Sequence, residues 1–348
     1  MPALDELTQS LRDARDLSPE AATQAAATLA DEALAVEAKA DFLRALTAKG
    51  ETADEVAAFA RYFRDRALDP RLQAYAESAV DIVGTGGDRA STFNISTFAS
   101  FIVAAGGVTV LKHGNRAATS KCGSADLLEA LGIPLGADTA TLQRSVEATG
   151  FAFLFAQAFH PAFKAVGPVR KALAAEGSRT VFNLLGPLIN PARPSGLLMG
   201  VFAEAWVEPL AEVLESLGLQ SGLVVHGRGD GSQVFDELTC VGPNRVRGVG
   251  RLRHVDAVWA PEDFGCEACP KVDLAGGTLE ENLARLQAIL AGDAPRGLRD
   301  TLLCNAGAAF WIAGKVDSLD MGIVMAADLL DAARVEGWLN QAKSFFAQ

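Results

Sequence analysis

The sequence predicts an α/β protein in which a small all-helical domain precedes a large domain with a mostly parallel sheet flanked by helices. Residues 1–70 show only helical patterns, whereas from residue 80 short apolar strands alternate with amphipathic helices. Such alternation is typical of parallel sheets, because two parallel strands need a crossover connection. With 348 residues, 49% of them apolar, the chain is long enough for two domains. We therefore expect a helical domain over residues 1–70 and an α/β domain over residues 71–348.

The helical domain has recognisable helix boundaries. Ser18 is suited to the N-cap of one helix, and Gly50 to the end of another. Thr52 and Glu55 have the spacing of a capping box, which predicts a further helix start. The apolar face of that helix consists of Val56, Phe59 and Phe63. A bundle this small buries such faces poorly alone, so we expect the chain to form a homodimer through residues 1–70.

The α/β pattern starts with "AVDIV" at residues 79–83, which predicts a strand. A glycine-rich loop, a helix within 97–105 and a second strand at 108–111 follow, so these segments form a βαβ unit with neighbouring parallel strands. A helix at 125–132 then begins with Ser124 as its expected N-cap. Further strands are predicted at 196–202 and 221–227, and further helices at 207–218, 279–290, 298–314 and 318–339.

Composition limits the partners and the compartment. The net charge of −12 argues against a general nucleic-acid or anionic-membrane binder, and the longest uncharged run is too polar to span a bilayer. No signal sequence is recognisable at the start, so we expect a cytoplasmic protein. Five cysteines do not indicate a disulfide framework, and Cys266 and Cys269 form a single CxxC without the second pair that a zinc site needs. They are interpreted as incidental loop thiols.

Two polar loops, 84–97 and 112–124, leave the carboxyl ends of the first two strands, where ligands of parallel sheets bind. The first loop is not a Walker A motif, and Arg89 stands where a dinucleotide fingerprint needs its third glycine. Its glycines let backbone N–H groups turn toward an anion, and Ser96 and Thr97 stand at a helix N-terminus, which favours phosphate. The two loops together favour a phosphate pocket over a pair of solvated turns.

Several motifs occur in a specific order: "GTGGD", "STFNIST", "KHGNR", "FNLLGPLINPARP" and "DEL". Over residues 80–240 this order closely resembles the anthranilate phosphoribosyltransferase family of tryptophan biosynthesis. The resemblance implies transfer of the phosphoribosyl group of phosphoribosyl pyrophosphate (PRPP) to anthranilate, with Mg²⁺ and release of pyrophosphate. It also implies a homodimer, two Mg²⁺ ions per chain, and a helical domain that includes the segment around 161–180.

The resemblance assigns site residues by position. PRPP is expected to contact Gly84, Gly87, Asp88, Thr92, Asn94, Ile95, Ser96, Thr97, Lys112, His113, Gly114, Asn115, Arg116, Ala117, Ala118, Thr119, Ser120 and Ser124. Anthranilate is expected to contact Gly84, Asn115 and Arg170, and the metal to bind Ser96, Asp236 and Glu237. No general acid or base is assigned.

The same residues allow plainer interpretations. Adjacent carboxylates such as Asp236 and Glu237 suit Mg²⁺, although a bare Asp-Glu pair is usually a solvated loop. Arg170 suits a planar carboxylate, yet it could be a surface cation on a helix kinked near Gly167-Pro168. His113 and His160 could orient the aromatic amine or satisfy backbone groups, the second being preferred for His160.

The sequence departs from the family pattern at three places. Ala117, Ala118 and Cys122 stand where hydroxyl or valine side chains are more usual, and about two residues are added between Arg170 and Arg179. Two other functions stay open at this stage. A nucleoside phosphorylase of the same fold class would not need the Asp-Glu pair, and a nucleic-acid-binding relative of the fold would be expected to carry less negative charge.

Overall fold

A computed structural model describes residues 3–116 and 121–347. The N-terminal helices are α1 (Leu4–Arg12), α2 (Pro19–Leu29), α3 (Val36–Lys49), α4 (Ala53–Asp65) and α5 (Gln73–Ala76). The remaining helices are α6 (Ile95–Ala105), α7 (Ser124–Ala130), α8 (Thr139–Thr149), α9 (Ala156–Phe159), α10 (Gly167–Ala175), α11 (Val207–Ser216), α12 (Leu279–Ala291), α13 (Arg296–Ile312), α14 (Leu319–Asp331) and α15 (Arg334–Phe346). None of these helices has the length and apolar character needed to cross a membrane.

One mixed sheet organises the large domain. Its strands are β1 (Ala79–Gly84), β2 (Thr109–Gly114), β3 (Phe151–Phe155), β4 (Gly196–Gly200), β5 (Ser221–Arg228), β6 (Val234–Phe235), β7 (Asn244–Gly250) and β8 (Asp256–Trp259). The order is β3-β2-β1-β4-β5-β7-β8, with β6 paired to β5. The strands from β3 to β5 are parallel, whereas β6, β7 and β8 pair antiparallel. The predicted class, a helical domain plus a mostly parallel sheet flanked by helices, is confirmed.

The sheet separates two large apolar cores, and a smaller third one lies between β2, β3 and α8. On one face, Val80 and Ile82 of β1 pack in the core that contains residues of α6, α13 and α15. On the other face, Leu197 and Met199 of β4 belong to the core that contains α11 and the N-terminal helices. Side chains of a strand alternate between faces, so β4 contributes Leu198 to the first core and Leu197 and Met199 to the second. This burial fixes the carboxyl ends of β1, β2 and β4 at one edge, where the candidate site lies.

The N-terminal helices pack on the large domain. Phe59 and Phe63 of α4 share an apolar core with Val169 and Leu173 of α10, and Arg44 of α3 forms a 2.6 Å ion pair with Glu176. The apolar face that motivated the homodimer prediction is thus buried within one chain. Among the described residues up to 70, the exposed large apolar side chains are Val36 and Leu68.

The helix starts predicted at Ser18 and Thr52 are confirmed, including the reciprocal hydrogen bonds of the capping box. The prediction of one helix over residues 160–177, kinked near Gly167-Pro168, is wrong, because a 3₁₀ turn at Pro161–Lys164 is followed by a separate helix, α10. Gly123, and not Ser124, is the N-cap of α7, whose Asp126 accepts a hydrogen bond from the Gly123 N–H.

The C-terminal segment 318–339, predicted as one helix, is divided into α14 and α15 at Ala333, which has φ of +54°. The sequence does not predict β3, nor does it predict β7 and β8. β3 is a continuous apolar pentapeptide without alternation, a pattern that does not separate a buried strand from a helix.

Candidate functional site

The glycine-rich loop after β1 turns sharply. Gly86 and Gly87 have φ of +71° and +85°, and Arg89 and Ser91 have φ of +59° and +56°. Non-glycine residues adopt this left-handed region at a cost of roughly 1 kcal/mol, and such conformations cluster at ligand sites. The loop therefore holds a specific shape, in which glycine is required where the sequence places it.

Asp236 and Glu237 lie against this loop. The Gly86 N–H donates to Asp236 Oδ2 at 2.6 Å, and the charge of Asp88 acts on the Asp236 carboxyl group. Burial, together with the charge of Asp88, raises the pKa of Asp236 well above its ordinary range. Burial and the charges of Asp236 and Asp88 likewise raise the pKa of Glu237, against a smaller lowering by the Thr92 hydroxyl.

Two glycines make this approach possible. β1 and β4 are parallel neighbours, with Gly84 opposite Gly200 at their carboxyl ends. A Cβ built on either glycine would overlap Asp236, at its carboxylate and carbonyl for Gly84 and at its backbone for Gly200. Asp236 and Glu237 therefore lie directly against the carboxyl ends of β1 and β4.

The carboxylate group fits a divalent cation. Glu237 Oε1 and Asp88 Oδ2 are buried oxygens without a hydrogen-bond partner in the described part of the chain. Uncompensated carboxylate oxygens that repel one another are the hard ligands that Mg²⁺ accepts. The structure thus adds Asp88 to the predicted pair as a candidate. Ser96 is different, because its Oγ already accepts a hydrogen bond from Lys112 Nζ at 3.3 Å, and its role as a metal ligand stays a prediction.

Lys112 is buried beneath the first turn of α6. Its Nζ donates to the Ile82 carbonyl oxygen at 2.5 Å as well as to Ser96. Burial lowers the pKa of Lys112 to about 8, although the nearby Asp81 opposes this shift. Burial raises the pKa of Asp81 to about 6. Lys112 is thus a fixed positive charge beside the N-terminus of α6, a place that favours anions.

His113 and His160 form a buried pair. The Nε2 atoms of the two rings are 3.1 Å apart, and His113 Nδ1 lies 3.1 Å from the Gly186 carbonyl oxygen. A carbonyl only accepts, so we assign the His113 proton to Nδ1, and Nε2 then accepts from His160. Burial lowers the pKa of His113 to about 3 and that of His160 to about 4. Both rings are neutral, and three of their four nitrogens are paired, whereas the buried His160 Nδ1 has no hydrogen-bond partner among the described residues.

This pair predicts an acid dependence of stability. Both folded pKa values lie below the ordinary value of 6.5, so below about pH 6.5 the unfolded chain binds more protons. The free energy of unfolding should therefore fall as the pH decreases toward 4, by about 1.4 kcal/mol per pH unit for each histidine. His160→Gln should remove about one histidine's share of that slope in urea titrations. An unchanged slope would contradict the buried neutral pair.

The remaining loop residues connect the two loops to their surroundings. Asn94, the residue before α6, donates to the Cys122 carbonyl oxygen at 3.2 Å and accepts from Asn282 of α12 at 2.9 Å. The Ser124 hydroxyl donates to the Asn115 carbonyl oxygen at 3.2 Å. A Cβ at Gly114 would meet Ser124 Oγ at 2.6 Å, so glycine is required there. Ile95 and Thr97 are buried in the first turn of α6, and the Thr97 hydroxyl has no partner among the described residues.

Arg116 does not face the proposed phosphate pocket. Its guanidinium pairs with Asp126 at 2.8 Å and with Glu129 at 2.9 Å, both on the α7 side. It is therefore the weakest of the predicted PRPP residues. The predicted contacts at Ala117, Ala118, Thr119 and Ser120 lie outside the described residues.

Arg170 lies on an aromatic surface. Its guanidinium carbon is 5.6 Å from the ring centre of Phe163 and 5.8 Å from that of Phe182. The centre of the Phe163 ring is 5.6 Å from that of the His160 ring. The His160 ring in turn contacts the ring of His113 at the end of β2. Partial desolvation by these rings lowers the pKa of Arg170 although the residue is exposed, and the described residues supply no carboxylate partner. A solvent-accessible guanidinium without an ion pair on an aromatic wall suits a planar carboxylate ligand.

Two contributors are not apparent from the sequence. Arg179 donates to the Gly87 carbonyl oxygen and lies 4.0 Å from the centre of the Phe202 ring. Gln157 donates to Asn115 Oδ1 at 3.2 Å. No local pattern distinguishes either residue, because each reaches the site from a segment distant in sequence.

Comparison with known proteins agrees with this geometry. The glycosyl transferase family helical bundle domain matches residues 5–67, and the a/b domain of that family matches residues 76–334. The anthranilate phosphoribosyltransferase of Rhodospirillum rubrum is 48% identical over 301 residues, which cover 86% of this chain and 83% of the relative. That of Thermus thermophilus is 47% identical over 291 residues, 84% of each chain.

Solved structures give the same result. The crystal structure of anthranilate phosphoribosyltransferase from Thermus thermophilus has a TM-score of 0.89 and 42% identity, covering 98% of this chain and 99% of its own. The enzyme from Saccharomyces cerevisiae in complex with PRPP and Mg has a TM-score of 0.83 and 25% identity, covering 99% and 98%. The chain therefore belongs to the anthranilate phosphoribosyltransferase family, with the helical and a/b domains of the glycosyl transferases.

Proposed function

We propose that this chain transfers the phosphoribosyl group of PRPP to the amine of anthranilate, giving N-(5-phosphoribosyl)anthranilate and pyrophosphate in tryptophan biosynthesis. Besides family membership, one structural observation supports this function. The left-handed glycine loop, the N-terminus of α6 and the half-buried carboxylates Asp88, Asp236 and Glu237 meet at one edge of the sheet. An anion site beside a divalent-cation site is what a magnesium pyrophosphate requires.

The protein groups act on the pyrophosphate. Asp236 and Glu237, with Asp88 and Ser96 as further candidates, would hold Mg²⁺, which when bound supplies positive charge for the leaving group. The backbone of the 84–97 loop and the first turn of α6 present N–H groups to phosphate oxygens. Lys112, with a pKa of about 8, is protonated at neutral pH and adds a fixed positive charge beneath Ser96. These groups stabilise the charge that develops as the bond to the ribose breaks.

Anthranilate is positioned by different residues. Arg170 would grip its carboxylate against the Phe163 and Phe182 rings, with Asn115 and Gly84 as the other proposed contacts. The neutral aromatic amine has a free lone pair and needs no base before it attacks the anomeric carbon. His113 and His160 are occupied by each other, so they are not assigned as the base. Catalysis is then mainly electrostatic and positional.

Product formation tests the proposal. The purified chain is incubated with PRPP and anthranilate, and the loss of anthranilate fluorescence is followed with Mg²⁺ and with EDTA in its place. We expect turnover only with the metal ion. Free phosphate and a nucleoside replace the substrates in a parallel assay, and turnover there instead would identify the nucleoside phosphorylase alternative. Two Mg²⁺ ions per chain is our proposal for the bound stoichiometry.

Homodimerisation through residues 1–70 stays a prediction, with Val36 and Leu68 as its exposed apolar groups. Sedimentation at micromolar concentration should give twice the chain mass, and Leu68→Glu should weaken the association. A monomer in the parent chain would refute the dimer. We also propose a domain boundary near residue 70 and a cytoplasmic location, which suits a chain with no disulfide among its described residues.

A further inference from the structure

Three cysteines meet outside the proposed substrate site. Cys240 Sγ lies 3.7 Å from Cys304 Sγ and 3.2 Å from Cys266 Sγ, and all three sulfur atoms lie within 4.8 Å of one another. Cys240 and Cys304 are buried, whereas Cys266 is partly exposed. Cys269, the other cysteine of the CxxC, is not part of this group. The sequence interpretation of incidental loop thiols therefore does not describe Cys266.

We propose that Cys240, Cys266 and Cys304 form a structural site for a thiophilic divalent cation, best matched by Zn²⁺. A tetrahedral zinc site has Zn–S bonds of about 2.3 Å, which separates its sulfur atoms by about 3.8 Å. The two shortest sulfur separations here, 3.2 and 3.7 Å, need only a small expansion to reach that value. A disulfide would use two of the sulfur atoms and leave the third without a role.

The chemistry of the cluster agrees with this assignment. Binding would form three S–Zn bonds and release the three thiol protons to solvent, so no oxidant is needed. The Cys266 thiol lies 3.2 Å from both Cys240 Sγ and the Pro261 carbonyl oxygen and donates there, so it still carries the proton that metal binding would release. Asp300 lies one helical turn before Cys304 on α13 but is not part of the group of ligand atoms within 4.8 Å of one another. A water molecule would therefore complete the coordination.

The position of the cluster indicates what the ion would do. On α13, the Asn305 side chain hydrogen-bonds the N–H and carbonyl of Leu238, and the Thr301 hydroxyl accepts from the Cys240 N–H. Cys240 follows the Asp236–Glu237 pair by a few residues. A cation bound by Cys240, Cys266 and Cys304 would tie this segment to α13 and to the loop after β8. We therefore assign it a stabilising role and no part in the chemistry.

Zinc titration tests the site. The reduced full-length chain, with Mg²⁺ in excess to occupy carboxylates, is titrated with Zn²⁺ against a chromophoric chelator. We expect one tightly bound Zn²⁺ per chain and a higher melting temperature on binding. Cys266→Ser, at the partly exposed position, should weaken binding by more than about 100-fold, beyond the effect typical of an outer-shell partner. Cys304→Ala should do the same.

Cys269→Ser is the matched control, since it removes the neighbouring thiol of the same CxxC and should leave the affinity unchanged. Co²⁺ provides a second readout, because a sulfur-to-cobalt charge-transfer band reports thiolate ligands directly, and the band should weaken in Cys266→Ser. Absence of stoichiometric Zn²⁺ binding in the reduced chain would overturn the proposal. So would binding that survives Cys266→Ser and Cys304→Ala, or a loss in Cys269→Ser as large as theirs.

Discussion

Replacing Asp236 and Glu237 together by Asn and Gln is expected to abolish Mg²⁺-dependent turnover. The two amides keep the size of the side chains but remove the negative charges that would hold the ion beside the pyrophosphate. Loss of electrostatic stabilisation of a leaving group costs on the order of 10³-fold in rate. Initial rates measured over a series of Mg²⁺ concentrations should show this loss, and added metal should not restore it.

The fold should survive this change. The amide that replaces the Asp236 carboxylate would keep an oxygen that can accept from the Gly86 N–H, and the repulsion among buried carboxylates would be relieved. The melting temperature in EDTA should therefore be no lower than that of the parent chain. Asp230→Asn, which changes an exposed carboxylate in the turn between β5 and β6, is the matched control and should retain full activity. Undiminished turnover in the double variant would refute the metal assignment.

Arg170→Ala is expected to raise the KM for anthranilate by roughly one to two orders of magnitude. A charge-assisted, bidentate contact contributes about 1.5–3 kcal/mol, and each 1.4 kcal/mol is about tenfold in affinity. The KM for PRPP should hardly change, because its phosphates are assigned to the 84–97 and 112–124 loops. Arg170→Lys should recover only part of the loss, since an ammonium lacks the planar fork. Steady-state kinetics with each substrate varied in turn measure both constants.

Lys171→Ala provides the matched control, because Lys171 is an exposed neighbour on the same helix. It should leave both constants unchanged. If Arg170→Ala altered neither constant, Arg170 would be an ordinary surface cation. A rise in the KM for PRPP alone would mean that the two substrates are exchanged relative to the present assignment.

Much of the fold is accessible from the sequence because its signals are local. The capping box at Thr52 and the alternation from "AVDIV" onward predict their elements directly. β3 is not predicted because a short apolar run has no periodicity. β7 and β8 are not predicted because they do not follow a helix in the alternating pattern. The break at Ala333 is not predicted because alanine does not indicate a left-handed backbone conformation.

The candidate site likewise has one part that the sequence predicts and another part that it does not. The two loops can be placed at one edge because parallel strands end together, so Ser96 and Lys112 can be expected to meet. Asp88 and Arg179 owe their positions near Asp236 and Gly87 to tertiary packing, which no spacing in the sequence encodes. The cysteine cluster is the clearest case, because its members lie 26 and 64 residues from Cys240 along the chain.

The contact between Gly200 and the backbone of residue 236 has a consequence for mutational surveys. Gly200 lies in β4, and the conflict there arises from the first side-chain carbon, so alanine should be nearly as poorly tolerated as valine. A screen for activity over all single substitutions would rank this position with the residues that touch substrate. A parallel screen for folded protein would show that substitutions at Gly200 are not tolerated because they displace the backbone that carries the carboxylates.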